Sequence, residues 1–381
     1  MSLVLSEEQQ ILQSTTREFV TGRSSMKRIR ELRDQATDGF SRPLWREMAE
    51  LGWAGIIIPE QYGGAGLGYV DLMVVMEELG RGLMPEPMLS SVLLGANTLL
   101  LGGSDAQKKA HLPKIAAGEE LLALAQQEPK SRYELAHVET RAERAGDGYR
   151  LTGEKIQVLD GTVADHFIVS ARTSGGPRDA SGVTLFLVPR SAEGVGVQVQ
   201  HRLDARGAAL VRLEGVQVGP NAIIGEEGQG AALLQRVTDR ATIALTAEML
   251  GAMTVAFEMT LDYLKTRQQF GKVIGTFQSL KHRAARLYVE LELARSLVMA
   301  AHEAVDAGKS DAEIGRLASM AKARLSDAFV LVANEAVQMH GGIGMTDEHD
   351  IGFFLKRARA AEIQFGDAAF HRGRVATLDG Y

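Results

Sequence analysis

The stretch RQQFGKVIGTFQ, Arg267–Gln278, decides how this chain is read. It follows a long run of helical pattern and then sets a cation, an aromatic, a glycine and an amide in close succession. An ordinary helix has no use for that order. A guanidinium offers a fork of charge-assisted donors that suits a diphosphate. Glycine lets a backbone come close to a ligand. Two further stretches accompany it: QMHGGIG at Gln338–Gly344, and IPEQYGGAGLGYVDLMVVMEELGR at Ile58–Arg81.

Composition bounds the possibilities. The chain has 381 residues, 45% of them apolar, enough to bury a large core in two or three domains. Its net charge of −6 is spread out with no basic block, so neither nucleic acid nor an anionic membrane is expected as a partner. There is no cysteine, which excludes disulfides, thiolate chemistry and zinc-thiolate sites and suits a reducing cytoplasm. The N-terminal MSLVLSEEQQILQSTTREFV reads as a capped amphipathic helix from about Ser6, without the layout of a signal peptide. No apolar run is expected to span a bilayer. A soluble, cytoplasmic protein is the expectation.

The hydrophobic period changes twice. Helical spacing up to about Glu120 predicts helices at Ser6–Val20, Arg42–Glu50, Val70–Gly80 and Ser90–Leu101. From about Leu121 to Gly230, short Val- and Leu-rich runs such as ADHFIVSART and GVTLFLVPR predict about seven strands in an antiparallel sheet or barrel. Long helices then return at Ala232–Arg267, Phe277–Ala307 and Asp311–Met339, with a last one near Phe365–Thr377, so a four-helix bundle is expected. The fold class is α+β multidomain: a helical domain over 1–120, a β domain over 121–230 and a helical bundle over 231–381.

Together the three motifs, in order and over essentially the whole chain, resemble the acyl-CoA dehydrogenase family of flavoenzymes. That resemblance implies FAD lying between the barrel and the C-terminal bundle, and bundles paired into a dimer of dimers. It also implies that Arg267, Phe270, Gly271 and Gln278 reach the diphosphate and adenosine of FAD, while Gln338, Gly341 and Gly342 complete the cradle from the facing chain. On the β side many relatives carry Thr-Glu-Pro and later Trp-Ile-Thr. Here these read Gln127-Glu128-Pro129 and Gln157-Val158-Leu159, with Tyr133 where a Ser is expected, so Gln127 and Val158 stand at flavin-facing positions without the usual stacking ring.

The family's reaction needs a carboxylate beside the substrate α carbon and donors for the developing enolate. At the two positions where relatives place that Glu, this chain has Phe365 and Ala241. Three acids could stand in. Asp367 lies two residues past Phe365; its plainer reading is an N-cap of the last helix. Asp239 is turned about 200° from Ala241 on a helix, which suits a partner for an Arg. Glu248 lies on the face of Ala241 but about 10 Å along the axis, where an interhelical hydrogen bond is the plainer use. Phe365 still supplies the backbone N–H that in the family helps polarise the thioester oxygen.

His340, His349 and His371 lack metal-like spacing and read as helix-end or loop histidines, and no metal is expected. TDEHDIGFFLKRAR at Thr346–Arg359 reads as a subunit interface or solvated face. GGAGLG at Gly63–Gly68 lacks a βαβ context for a dinucleotide loop. The resemblance therefore implies oxidation of an acyl-CoA to the 2,3-enoyl-CoA, with electrons passed to an electron-transfer flavoprotein, in a homo-oligomer or a heterotetramer. The form FGDAAFHR is similar to small subunits of heteromeric members acting on dicarboxylic or ring-derived acyl-CoAs. Two alternatives stay open: a non-catalytic subunit completing a partner's FAD site, and a flavin oxidase or monooxygenase on the same fold.

Overall fold

Ser6 starts the first helix as its sequence signature predicts. Ser6 Oγ accepts the Gln9 N–H at 3.2 Å, and Gln9 Oε1 accepts the Ser6 N–H at 3.1 Å. This reciprocal box satisfies two of the donors that a helix N-terminus leaves free. The computed structural model describes residues 5–35 and 39–381, so the first four residues of the N-terminal stretch lie outside the described residues. In chain order the helices are α1 (Glu7–Arg23), α2 (Met26–Gln35), α3 (Arg42–Glu50), α4 (Tyr69–Arg81), α5 (Asn97–Gly102), α6 (Asp105–Ala116), α7 (Gly230–Thr266), α8 (Gln278–Asp306), α9 (Asp311–His340), α10 (Ile351–Ile363) and α11 (Ala368–Leu378). The strands are β1 (Leu122–Ala125), β2 (Arg141–Ala145), β3 (Gly148–Leu159), β4 (His166–Arg172), β5 (Val183–Pro189), β6 (Val195–Val199), β7 (Ala208–Val218), β8 (Ile223–Ile224), β9 (Gln268–Gln269) and β10 (Lys272–Val273). Helices α2 and α6 were not among the expected ones.

The chain forms two units. One gathers Met1–Glu31, Tyr69–Met84 and Thr242–Tyr381; the other gathers Leu32–Gly68 and Pro85–Ala241 and holds the main sheet.

In the sheet unit, strand order is β6-β7-β3-β2-β4-β5-β8, with β1 added on β4. The expectation of an antiparallel sheet or barrel of about seven strands needs correcting. There are eight strands in this sheet, and β4 pairs in parallel with β1 along Leu122↔His166 to Ala125↔Val169, and with β2 at Arg141↔Arg172. Hairpins force antiparallel pairing only on strands joined by a tight turn. Between β1 and β4 lie β2 and β3, and that length of chain lets β1 return in the parallel sense. Among the described residues the sheet stays open, ending on β6 and β8. Its core packs Tyr149, Leu151, Phe167, Phe186, Val211 and Leu213 on one face. Fully burying each such side chain contributes about 1.5–3 kcal/mol.

The predicted helix Ser90–Leu101 is also different in form. Met88–Ala96 is a fully buried π-helix, and α5 follows it. The wider winding is accommodated because Asn97 Nδ2 and Thr98 Oγ1 donate to the carbonyls of Leu93 and Leu94, at 3.2 and 2.7 Å. A Cβ on Gly95 would fall 2.6 Å from the Leu122 Cβ, so glycine here lets β1 pack close.

In the helical unit, α9 packs against α8, α10 and α11. Five α-helices follow residue 229 among the described residues, where four were expected. The missed one, α10, lies in the segment read as an interface or solvated face. Ile351, Phe354, Ala358 and Ala361 form its buried stripe, spaced as one helix face despite the charges between them. Helices α4 and α7 cross at reciprocal glycines: a Cβ on Gly80 would meet the Glu248 carbonyl at 2.1 Å, and one on Gly251 the Glu77 carbonyl at 1.8 Å. Finally, α7 is long and apolar enough to cross a bilayer by length and composition, contrary to the expectation. Of its apolar window 83% is buried within the protein, so other side chains already solvate it.

Candidate functional site

The Arg267–Gln278 stretch folds as a β-hairpin at the C-terminal end of α7. Strands β9 and β10 pair as Gln269↔Lys272, leaving Phe270 and Gly271 as a two-residue turn with φ of 53° and 76°. Positive φ at both positions is the type I′ pattern. An aromatic residue rarely accepts it. The turn holds the Phe270 ring 88% exposed, with Phe277 edge-on at 6.1 Å. Arg267 is exposed and has no ion-pair partner among the described residues. Gln278, also exposed, opens α8.

At the end of α9, Gly341 is the C-cap with φ 65°, and its N–H donates to the Gln338 carbonyl. Gly341 and Gly342 are exposed, and a Cβ on either would touch nothing within 4 Å. Tyr263 of α7 stacks on His340 of α9 with centroids 4.5 Å apart, and His340 lies 4.5 Å from His349. The ends of α7 and α9 are thus neighbours within one chain. No local pattern along the chain announces this three-ring cluster.

The acids read from the sequence as candidate bases have other partners. Asp367 caps α11: its Oδ1 accepts the Phe370 N–H at 2.9 Å. Buried Glu248 pairs with buried Arg357 at 2.8 Å. Asp239 is buried and accepts from Gln235 Nε2 at 3.1 Å, and Ala241 is fully buried. Phe365 sits at φ 62° and Gly366 at φ 124°. A Cβ on Gly366 would lie 2.4 Å from the Phe370 ring and 2.8 Å from His371 Nε2, so glycine is required there.

This loop is held from below by a residue that sequence reading passed over. Buried Lys322 donates to the carbonyls of Gly366 at 2.7 Å and Glu362 at 2.9 Å, and to Ser326 Oγ at 3.0 Å. Burial pushes its amine down to about 7. His371, in the first turn of α11, is buried beside Ser319 Oγ at 3.1 Å, and burial pushes its ring down to about 3. A lysine amid the small residues of a helix was the available signal.

In the sheet unit, Gln127 is half-buried and its carbonyl accepts the Ile156 N–H at 2.8 Å. Val158 is 1% exposed and belongs to the sheet core, next to a register shift between Lys155 and Val158. Its side chain therefore packs inward. Between these segments, Glu128 accepts from Lys155 Nζ at 2.6 Å and from the N–H groups of Glu139 and Thr140 at 2.6 and 3.0 Å. Lys155 also donates to Ser170 Oγ at 2.9 Å. Fully buried, its amine is pushed down to about 8 despite that carboxylate. This pair ties the Gln127-Glu128-Pro129 turn to β3 and β4.

Comparison with known proteins accounts for the shared geometry. The acyl-CoA dehydrogenase N-terminal, middle and C-terminal domains match residues 6–119, 123–218 and 228–377. The chain belongs to the acyl-CoA dehydrogenase family. It is 32% identical to the mitochondrial isovaleryl-CoA dehydrogenase of Pongo abelii, over 98% of this chain and 90% of that protein. A chain in the solved structure of the electron transferring flavoprotein of Acidaminococcus fermentans superposes with a TM-score of 0.92, at 28% identity and full coverage of both chains. A chain of the ChsE4-ChsE5 complex from Mycobacterium tuberculosis gives 0.89, also at 28% identity and full coverage of both. Acyl-CoA dehydrogenase family members are FAD-dependent flavoproteins. The residues present fit that group: Arg267, an exposed guanidinium with no ion-pair partner among the described residues, and two glycines at which a Cβ would meet open space.

Proposed function

We propose that this chain is the FAD-cradling subunit of an acyl-CoA dehydrogenase whose α-proton base is carried by a second, different subunit. One observation carries the reading. The usual Glu positions hold Phe365 and Ala241, and both nearest replacements are engaged, Asp367 as a helix cap and Glu248 in a buried ion pair. Likeness to a chain of the ChsE4-ChsE5 complex supports an assembly of unlike subunits.

In this reading Arg267 forks onto the diphosphate, Gln278 and Gln338 hydrogen-bond the nucleotide, and the open backbone at Gly341–Gly342 admits it closely. FAD supplies the acceptor for the β hydride. Lys322 fixes the Phe365–Gly366 loop, keeping the Phe365 N–H in position to polarise a thioester oxygen while leaving no carboxylate at that place. An electron-transfer flavoprotein would be the electron acceptor, and a cytoplasmic setting suits the cysteine-free chain.

Purified alone and supplied with FAD, the chain should show flavin absorption bands but no anaerobic bleaching with a panel of straight-chain, branched and ring-derived acyl-CoAs. Phe365→Glu should gain bleaching. Bleaching by the wild-type chain alone would overturn the two-subunit reading, and failure to take up FAD would overturn the cradle itself.

A further inference from the structure

Three side chains of the sheet unit, two from neighbouring segments and one from β4, converge on one point, apart from every residue assigned above. His111 projects from α6, Glu120 lies just before β1, and His166 opens β4. His111 Nδ1 stands 3.0 and 3.1 Å from the two Glu120 oxygens, and His166 Nδ1 stands 2.8 Å from Glu120 Oε1. The donor atoms all lie within 4.8 Å of one another, and Glu120 is buried. The two rings meet edge to face at 5.1 Å.

We propose that His111, Glu120 and His166 bind a divalent transition-metal ion of the zinc class, with a coordination position left open to the adjoining cleft. The spacing supports a shared ion. Donors held about 2.0–2.2 Å from one ion stand about 2.9 Å apart at right angles and about 3.4 Å apart at tetrahedral angles. Two imidazoles and one carboxylate are a donor set for zinc, cobalt, nickel or copper rather than for calcium or magnesium.

A metal-free explanation, in which both imidazoles pair with the carboxylate, leaves His166 with poor alignment. His166 Nδ1 is buried and stands 2.8 Å from Glu120 Oε1 as an ion pair, but it is not aligned for a good hydrogen bond as His111 is. A lone pair directed at a bound ion gives that nitrogen an aligned partner.

The open side has room for a fourth ligand. His111 and His166 line a cleft of about 910 Å³, together with Gln107, Leu187, Gln217 and Asn221. Gln107 Nε2 donates to the carbonyls of Asn221 and Ile223, both at 3.0 Å, which anchors α6 beside the cleft. The ion would clamp α6 to β4 through Glu120 and present an exchangeable position to water or a small anion. His111 and Glu120 are nine residues apart, but no motif announces the site because the third ligand comes from β4, further along the chain.

The test uses the untagged, full-length chain after stripping with EDTA. Equilibrium dialysis against zinc chloride, followed by metal analysis, should give one zinc per chain, and the unfolding temperature should rise with zinc. His111→Ala and His166→Ala should each weaken binding by more than about tenfold. Each change removes a partner of buried Glu120, so some loss of stability in EDTA is expected, and zinc affinity rather than unfolding temperature is the deciding readout. Glu120→Gln should also lose zinc, but the histidine variants decide the matter if it folds poorly. Retention of no zinc by the wild-type chain would overturn the proposal. So would unchanged zinc affinity in the His111→Ala/His166→Ala double variant.

Discussion

Glu248 Oε1 and Arg357 Nη1 lie 2.8 Å apart inside the helical unit, with only 3% and 5% of their side chains exposed. The pair joins α7 to α10, and Arg357 Nη2 also reaches the Leu83 carbonyl at 3.4 Å. Breaking a buried pair from one side leaves a charge without solvent or partner, at a cost of about 3–5 kcal/mol. Glu248→Ala should therefore lower stability by that amount in urea denaturation. Replacing both residues by Met together should cost far less, since neither charge is then stranded. A Glu248→Ala protein as stable as wild type would show that the pair carries little.

Asp367 separates a cap from a base. Asn caps a helix about as well as Asp, whereas Ala costs about 1 kcal/mol. The unfolding midpoint should hardly move in Asp367→Asn and should fall in Asp367→Ala. Acyl-CoA-driven bleaching of the assembled enzyme should stay within about tenfold of wild type in Asp367→Asn. A loss of 10²–10⁴, the usual effect of removing a general base, would make Asp367 that base.

Arg267 has no ion-pair partner to lose among the described residues, so its removal should be silent for folding and costly for FAD. Each charge-assisted hydrogen bond to a diphosphate is worth about 1.5–3 kcal/mol. Arg267→Ala should weaken FAD binding at least tenfold in fluorescence titration, with an unchanged unfolding curve for the apoprotein. Wild-type FAD affinity in that variant would remove Arg267 from the cradle.

His302 sets an acid limit on stability. Its ring is fully buried, one nitrogen faces the Val298 carbonyl at 2.7 Å, and Nε2 has no hydrogen-bond partner among the described residues. Burial pushes its pKa down from 6.5 to about 4. Between those values the unfolded chain takes up a proton that the folded chain refuses, so stability falls as pH drops through that window. At about 1.4 kcal/mol per pH unit, the loss is on the order of 3 kcal/mol and is complete below about pH 4. His371, pushed down to about 3, acts in the same direction. His302→Leu should flatten the decline between pH 6.5 and 4, measured by urea denaturation at each pH. An unchanged slope would mean that the unfolded-state protonation of His302 does not set this limit.

What the sequence determined by itself was local. The Ser6 box, the bounds of α3 and the ends of α8 and α9 follow from caps, turn residues and apolar spacing within a few residues of each other. It also supports the expectation, counted from nearby glycines, that Phe365 and Ala241 stand where relatives carry the base. Tertiary structure decided partnership. Glu248 meets Arg357 across 109 residues, β1 joins β4 in parallel, and α10 is buried in spite of its charges. Lys322 reaches the Gly366 carbonyl across 44 residues, and His111, Glu120 and His166 come together only once α6 and β4 are in place. A charge or polar group taken out of water must be matched by whatever the fold brings within hydrogen-bond reach. That match depends on which distant segments pack together, and local spacing along the chain carries no record of it.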